Sequence, residues 1–271
     1  MFGENKIIGQ SFFKDADPQT LKVTSIFYTL QGEGPYAGKR CVFVRLAHCN
    51  LNCRFCDSFF DDGEWLTYQQ LQAKILDCMV PALGPMPYYS INRIGLVITG
   101  GEPTLQANLF GFLESDFAKA FAWTQIESNG VLVPNNVPTS TTIVVSPKCS
   151  KNTTYIKPLP ETLERAAFLK FVVSSDPSSP YNLVPDWAIA WMQETGKPVY
   201  VSPMNIYNKL PEKTANTSIE ERSRVDEVIS FWEPGLLNMK ANQANHEYAA
   251  RLCLKHGFVL NLQMHLYAGL A

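Results

Sequence analysis

The sequence predicts an α/β protein in which about six βα units form a partial barrel. Short runs rich in Val, Ile and Phe alternate with longer stretches of helical spacing, and Gly, Pro, Asn or Ser closes most of the runs. The loops of unusual composition, at 49–58, 100–104, 128–130 and 146–148, follow strand-like runs. In parallel α/β folds that is the side on which ligands bind.

Strands are expected at 23–29, 40–46, 94–99, 123–127, 142–146, 169–173, 198–202 and 258–262. Thr67 and Gln70 have the spacing of a capping box ahead of Leu71, Ile75 and Met79, which recur at helical intervals. Further helices are expected at 105–113, 161–167, 186–195, 219–232 and 241–256. Stretches 80–92, 174–185 and 203–217 mix Pro with Ser, Asn or Tyr and read as surface insertions. No linker divides the chain, so residues 1–271 are expected to form a single domain.

With 23 basic and 25 acidic residues the formal charge is −2, and no global basic field points to nucleic acid or an anionic membrane. The charged opening segment lacks the apolar core of a signal peptide, and no run approaches the roughly 18 apolar residues of a membrane span. The expected compartment is the cytoplasm. Of the seven cysteines, Cys49, Cys53 and Cys56 crowd together, while Cys41, Cys78, Cys149 and Cys253 are dispersed. Crowding and an odd number favour metal binding over a disulfide framework, and the dispersed cysteines read as small buried residues.

The crowded segment is CNLNCRFC, a C-x3-C-x2-C pattern directly after a strand. Thiolates suit iron–sulfur clusters or zinc. Structural zinc wants a fourth ligand, a role for which the adjacent His48 could compete, but no second Cys or His pair follows. Three thiolates on a four-iron cluster leave one iron open for chemistry. This loop resembles the signature of the radical S-adenosylmethionine superfamily, in which the open iron chelates S-adenosylmethionine and its cleavage gives a 5'-deoxyadenosyl radical. The partial (β/α)6-type barrel, here modified and with insertions, is the fold that resemblance implies.

Thr99-Gly100-Gly101-Glu102-Pro103 closes another strand. Paired glycines let backbone approach a ligand, and a carboxylate with carbonyls can accept from an ammonium group. Beside the cysteine loop the segment resembles the superfamily's motif for the methionyl amine, which implicates Gly101 and Glu102. Ser146-Pro147-Lys148 and Glu127 also close strands. Ser146 and Lys148 can donate to the carboxylate or ribose of S-adenosylmethionine, and Glu127 can accept from the ribose.

The flanks narrow the resemblance. Residues 28–35 read YTLQGEGP, 43–46 read FVRL, Asp57 and Ser58 follow the last cysteine, and the chain closes with LQMHLYAGLA. From about Lys22 to Ala271, apart from the insertions, this resembles the 7-carboxy-7-deazaguanine synthases of queuosine and deazapurine biosynthesis. The resemblance implies a lyase that contracts 6-carboxy-5,6,7,8-tetrahydropterin by radical rearrangement, releases ammonia and needs magnesium. No side chain is then catalytic in the strict sense, because the cofactor generates the substrate radical. The resemblance further implies pterin contacts from Leu30, Gln31, Gly32 and Glu33, a pairing of Arg45 with the substrate carboxylate, substrate contacts from Thr99, His265 and the Ala271 carboxylate, and magnesium on Ser58. Gly101 and residues 146–148 are implied to touch S-adenosylmethionine. An electron donor such as flavodoxin and a homodimer are also implied. This chain has Ser58 where the family usually has Thr, and His48 where it usually has Gly. The competing readings are an activase of a glycyl-radical enzyme, which the Gln31–Glu33 and Arg45 groups disfavour, and a zinc-binding interaction module.

Overall fold

The computed structural model describes residues 6–53, 55–56, 58, 60–85, 88–132, 136–150, 154–208 and 230–270. The apolar runs become β1 (Thr20–Leu30), β2 (Arg40–Leu46), β4 (Gly95–Gly100), β5 (Trp123–Ser128), β6 (Thr141–Val145), β7 (Phe168–Val173), β8 (Val199–Pro203) and β9 (Val259–Leu260). A ninth strand, β3 (Glu64–Thr67), has too few apolar residues to announce itself in the sequence. The helices are α1 (Tyr68–Asp77), α2 (Val80–Leu83), α3 (Asn108–Leu113), α4 (Asp116–Lys119), α5 (Pro160–Arg165), α6 (Asp186–Thr195), α7 (Met239–His256) and α8 (Met264–Ala268).

All strands join one sheet in the order β3-β1-β2-β4-β5-β6-β7-β8-β9. From β2 through β9 along this order every pairing is parallel, whereas β1 is antiparallel to both β2 and β3. The sheet is therefore mixed, a departure from uniform βα repetition. The cause is chain length: residues 31–39 between β1 and β2 are too few for a crossover, which needs a dozen or more. Among the described residues no ladder links β9 back to β3, so the observed architecture is a nine-stranded α/β sheet with two edges.

The core runs through this sheet and includes the fully buried Leu21, Leu46, Leu96, Ile98, Phe112 and Phe171. Helix α1 starts as its sequence dictates. Gln70 N donates to Thr67 Oγ1 (3.2 Å), Thr67 N donates to Gln70 Oε1 (2.8 Å), and Leu71, Ile75 and Met79 are buried completely. Helix α6 keeps the expected bounds and ends at Gly196, whose φ of 69° suits a left-handed cap.

The helix expected at 105–113 is shorter. Gln106 is diverted into an extended conformation, where its amide donates to Lys22 O and its Oε1 accepts from Lys22 N. A 3-10 turn (Pro103–Leu105) therefore precedes α3. The expected helix at 219–232 lies, up to residue 229, outside the described residues, and 230–232 are not helical. Insertion 174–185 folds onto the core through the buried Tyr181, and insertion 203–217 lies outside the described residues beyond 208. Among the described residues no helix is long and apolar enough to cross a membrane.

Replacing Thr67 with Ala removes the capping acceptor and should destabilise the protein by about 1 kcal/mol. Denaturant unfolding should show a lower midpoint at unchanged slope, and an unchanged midpoint would mean the cap contributes nothing.

Candidate active site

The carboxyl ends of the parallel strands surround a cavity of about 270 Å³. Its wall brings together Cys49, Cys53 and Cys56 with Gln31, Glu33, Arg45, Ser58, Thr99, Gly101, Ser146, Lys148 and His265. Residues widely separated in sequence thus share one chamber because β2 and β4–β9 all point toward it.

The cysteine loop and the glycine pair touch directly. Gly101 N donates to Leu46 O (3.2 Å) and Glu102 N to His48 O (2.9 Å). A Cβ on Gly100 would collide with the Leu46 backbone, and one on Gly101 would collide with His48 O and lie 2.7 Å from Cys49 Cβ. Gly100 also has φ +147°. The glycines are needed for this contact between loops.

Glu102 is not in the cavity wall. It is completely buried and accepts from Thr104 N (3.1 Å), Thr104 Oγ1 (2.6 Å), Ser128 Oγ (2.9 Å) and Asn129 N (2.7 Å). Burial pushes its carboxyl above the ordinary range, against the pull of these donors. Its side-chain oxygens are taken up by donors from the loops after β4 and β5. Asn129 Nδ2 extends the network to Asn50 Oδ1 in the cysteine loop (2.7 Å).

Strand alternation sorts the other residues. Phe27, Gln31 and Glu33 line the cavity, while Leu30 and Gly32 do not. Gly32 faces α8 instead, where its Cβ would enter the His265 ring. Ser146 and Lys148 likewise line the cavity, whereas Pro147 between them is buried outside its wall. Lys148 Nζ donates to Ser146 O and Oγ, both at 2.6 Å. Ala271 lies outside the described residues.

Two features fit a metal cluster. Burial, with Glu102 behind it, pushes the Cys49 thiol up to about 12, and burial also raises Cys53. Thiols so disfavoured as anions become thiolates only against a strong local positive charge, which bound iron supplies. Cys49, Cys53 and Cys56 all line the cavity wall, the shared placement that a cluster with three thiolate ligands requires. The dispersed Cys41, Cys78, Cys149 and Cys253 do not line the cavity.

The same wall carries charge and hydrogen-bonding groups. Arg45 Nη1 donates to Ser58 Oγ (2.6 Å), and its guanidinium lies 5.8 Å from the Phe27 ring. Phe27 and Phe43, paired across β1 and β2, stack with centroids 5.2 Å apart. Glu127, expected at the S-adenosylmethionine ribose, accepts from Gln31 Nε2 (3.3 Å) and Thr99 Oγ1 (3.2 Å). Lys170 forms a buried ion pair with Glu33. Burial favours the neutral Glu33 carboxyl, but Lys170, helped by His265 and Gln263, outweighs it and holds Glu33 below the ordinary range.

No family model matches the chain. It is 30% identical over 270 residues to the 7-carboxy-7-deazaguanine synthase of Rickettsia prowazekii, covering 100% of this chain and 96% of the relative. The chain belongs to the 7-carboxy-7-deazaguanine synthase family. The family member of Rhodospirillum rubrum is 30% identical over 185 residues, 68% of this chain and 71% of its own length. The solved structure of QueE from Escherichia coli has the same fold, with a TM-score of 0.54 at 19% identity, covering 94% of this chain and 97% of that one. The reaction of the family is the radical S-adenosylmethionine ring contraction of queuosine biosynthesis, and its cofactors are a [4Fe-4S] cluster and S-adenosylmethionine. The activase and zinc-module readings fall away with this membership.

For this member of the family, sequence reasoning missed Lys170, Asn205 and Gln263, all in the cavity wall. Lys170 left a trace, a lone charge inside the apolar strand FLKFVV. Gln263 stands in the closing segment LQMHLYAGLA without a role of its own there, and Asn205 left no trace, because the two side chains meet only through the fold.

Replacing Glu102 with Leu strands the buried donors of Thr104, Ser128 and Asn129. It should destabilise the protein by roughly 2–4 kcal/mol, measured by calorimetry or denaturant unfolding. Unchanged stability with selective loss of S-adenosylmethionine binding would assign Glu102 to the cofactor.

Proposed function

We propose that the cavity holds 6-carboxy-5,6,7,8-tetrahydropterin between the Arg45 side and the cysteine loop, with S-adenosylmethionine lying along Gly101, Ser146 and Lys148. The observation that carries this is the meeting of Cys49, Cys53 and Cys56 with Arg45 and the Glu33–Lys170 pair in one chamber.

Arg45 presents a guanidinium fork to the substrate carboxylate, with Ser58 beside it. Glu33 and Glu127 accept from the pterin amine and ring N–H, and Gln31 offers an amide to the same edge. Thr99 and His265 complete the enclosure. The stacked Phe27 and Phe43 give this side an apolar wall that excludes water and strengthens the charged contacts. Lys148 donates toward the carboxylate or ribose of S-adenosylmethionine.

Cys49, Cys53 and Cys56 hold the cluster. Once bound, cluster and S-adenosylmethionine supply a 5'-deoxyadenosyl radical. Ser58 retains the hydroxyl oxygen that a hard cation such as Mg²⁺ prefers, and it sits beside the Arg45 carboxylate site. The wider assignment is a single domain whose sheet forms a modified partial barrel, working as a homodimer with an electron donor such as flavodoxin. The sequential order of β4 to β9 in the sheet supports the barrel.

Anaerobic, cluster-loaded protein given the tetrahydropterin, S-adenosylmethionine, Mg²⁺ and reductant should form 7-carboxy-7-deazaguanine. Arg45→Ala should raise the substrate KM by about ten- to a hundredfold while leaving that for S-adenosylmethionine nearly unchanged. Equal effects on both would remove Arg45 from the carboxylate site.

Lys170→Met tests the ion pair. Without the ammonium, burial dominates and the Glu33 carboxyl rises, so Glu33 is lost as an anion when pH falls through the raised value. Substrate KM should then climb more steeply on acidification in the variant than in the parent. Parallel profiles would show that Lys170 does not set the Glu33 charge.

A further inference from the structure

Residues 6–13 form an arm along the outside of the cysteine loop. Ile8 N donates to Cys49 O (2.8 Å), Ile7 pairs with Cys49 in an isolated parallel bridge, and Lys6 N donates to both Asp61 carboxylate oxygens (2.6 and 2.8 Å). The 3-10 turn Gln10–Phe13 then carries two rings onto His48. Phe12 meets the imidazole edge-on with centroids 4.8 Å apart, Phe13 lies at 5.9 Å, and Lys22 Nζ stands 3.3 Å from Nε2.

His48 occupies an unfavourable position for its type. Its φ is +72°, in the left-handed region that suits glycine and costs another residue about 1–2 kcal/mol. It is 4% exposed, and its Nδ1 has no hydrogen-bond partner among the described residues. The His48 backbone is needed in place: its N donates to Phe60 O (2.6 Å) and its O accepts from Glu102 N (2.9 Å). A glycine would serve both bonds without strain. The imidazole packs against the Phe12 and Phe13 rings of the arm and meets Lys22 of β1, so the two rings of the arm supply packing that offsets its cost.

We propose that His48 and Phe12 form a latch through which the arm holds the cysteine loop in its cluster-binding shape. Both are positioning residues. The latch closes from outside the cavity, one residue ahead of Cys49, and the Ile8–Cys49 bond carries the constraint to the ligand itself. This inference rests on the cluster assignment and is independent of the substrate, so its test reads iron.

The test uses anaerobically reconstituted holoenzyme with a ferrous chelator, bathophenanthroline, in excess. His48→Gly and Phe12→Ala should each release iron about three- to tenfold faster than the parent, and the double variant no faster than either single one, because both break the same contact. Phe12→Tyr, which keeps the ring at a site 47% exposed, should release iron at the parental rate. The EPR signal of the reduced cluster should broaden in both single variants and not in Phe12→Tyr. Slower or equal release by His48→Gly would show a merely tolerated, strained residue and overturn the latch. So would additive effects, or faster release that only follows a lowered unfolding midpoint with no EPR change. Should His48→Gly not fold, the Phe12→Ala and Phe12→Tyr pair decides alone: equal release rates would reject the proposal.

Discussion

The site depends on two loops being allowed to touch. The chain leaving β2 and the chain leaving β4 run side by side, and the backbone of Gly100 and Gly101 lies against that of Leu46 and His48. A methyl group at either glycine would force the loops apart. The contact fixes the cysteine loop relative to the strand that bears Thr99, Glu102 locks the loop after β4 to the end of β5, and Asn129 ties that end to Asn50 in the cysteine loop. A cluster held by three residues within eight positions needs such outside support, because the loop has little regular structure of its own.

Beyond that contact, the period of the strands decides what reaches the cavity. Phe27 faces Phe43 across β1 and β2, and Arg45 follows two residues after Phe43 on the same face. The same alternation brings Gln31 and Glu33 inward and separates Ser146 and Lys148 from Pro147. A buried ion pair such as Glu33–Lys170 is a poor device for stability, since desolvation takes back much of the attraction. Within a cavity it has another use, keeping a carboxylate ionised where burial alone would neutralise it.

Family and fold contribute differently to this picture. Full-length identity to the Rickettsia prowazekii synthase carries the reaction, whereas the likeness to QueE from Escherichia coli, at 19% identity, carries the fold. His48 and its arm are features of this chain's own geometry. A residue other than glycine in a left-handed conformation beside Cys49 imposes a cost, and the arm's rings pack against it.

Much of the chemistry was legible in the sequence because it is local. Three cysteines at short spacing, a glycine pair closing a strand and a capping box each stand out within a few residues, and the apolar runs located every strand but the short β3. What only the tertiary structure decided was direction and partnership. The antiparallel β1 follows from a connection too short to cross over. The carboxylate of Glu102 finds its donors in Thr104, Ser128 and Asn129, and Lys170 reaches the cavity only when β7 is brought to Glu33. Spacing along the chain reports which groups can act together locally. It does not report which distant group will satisfy a buried charge, since that is set by how the strands pair and which way each side chain alternates.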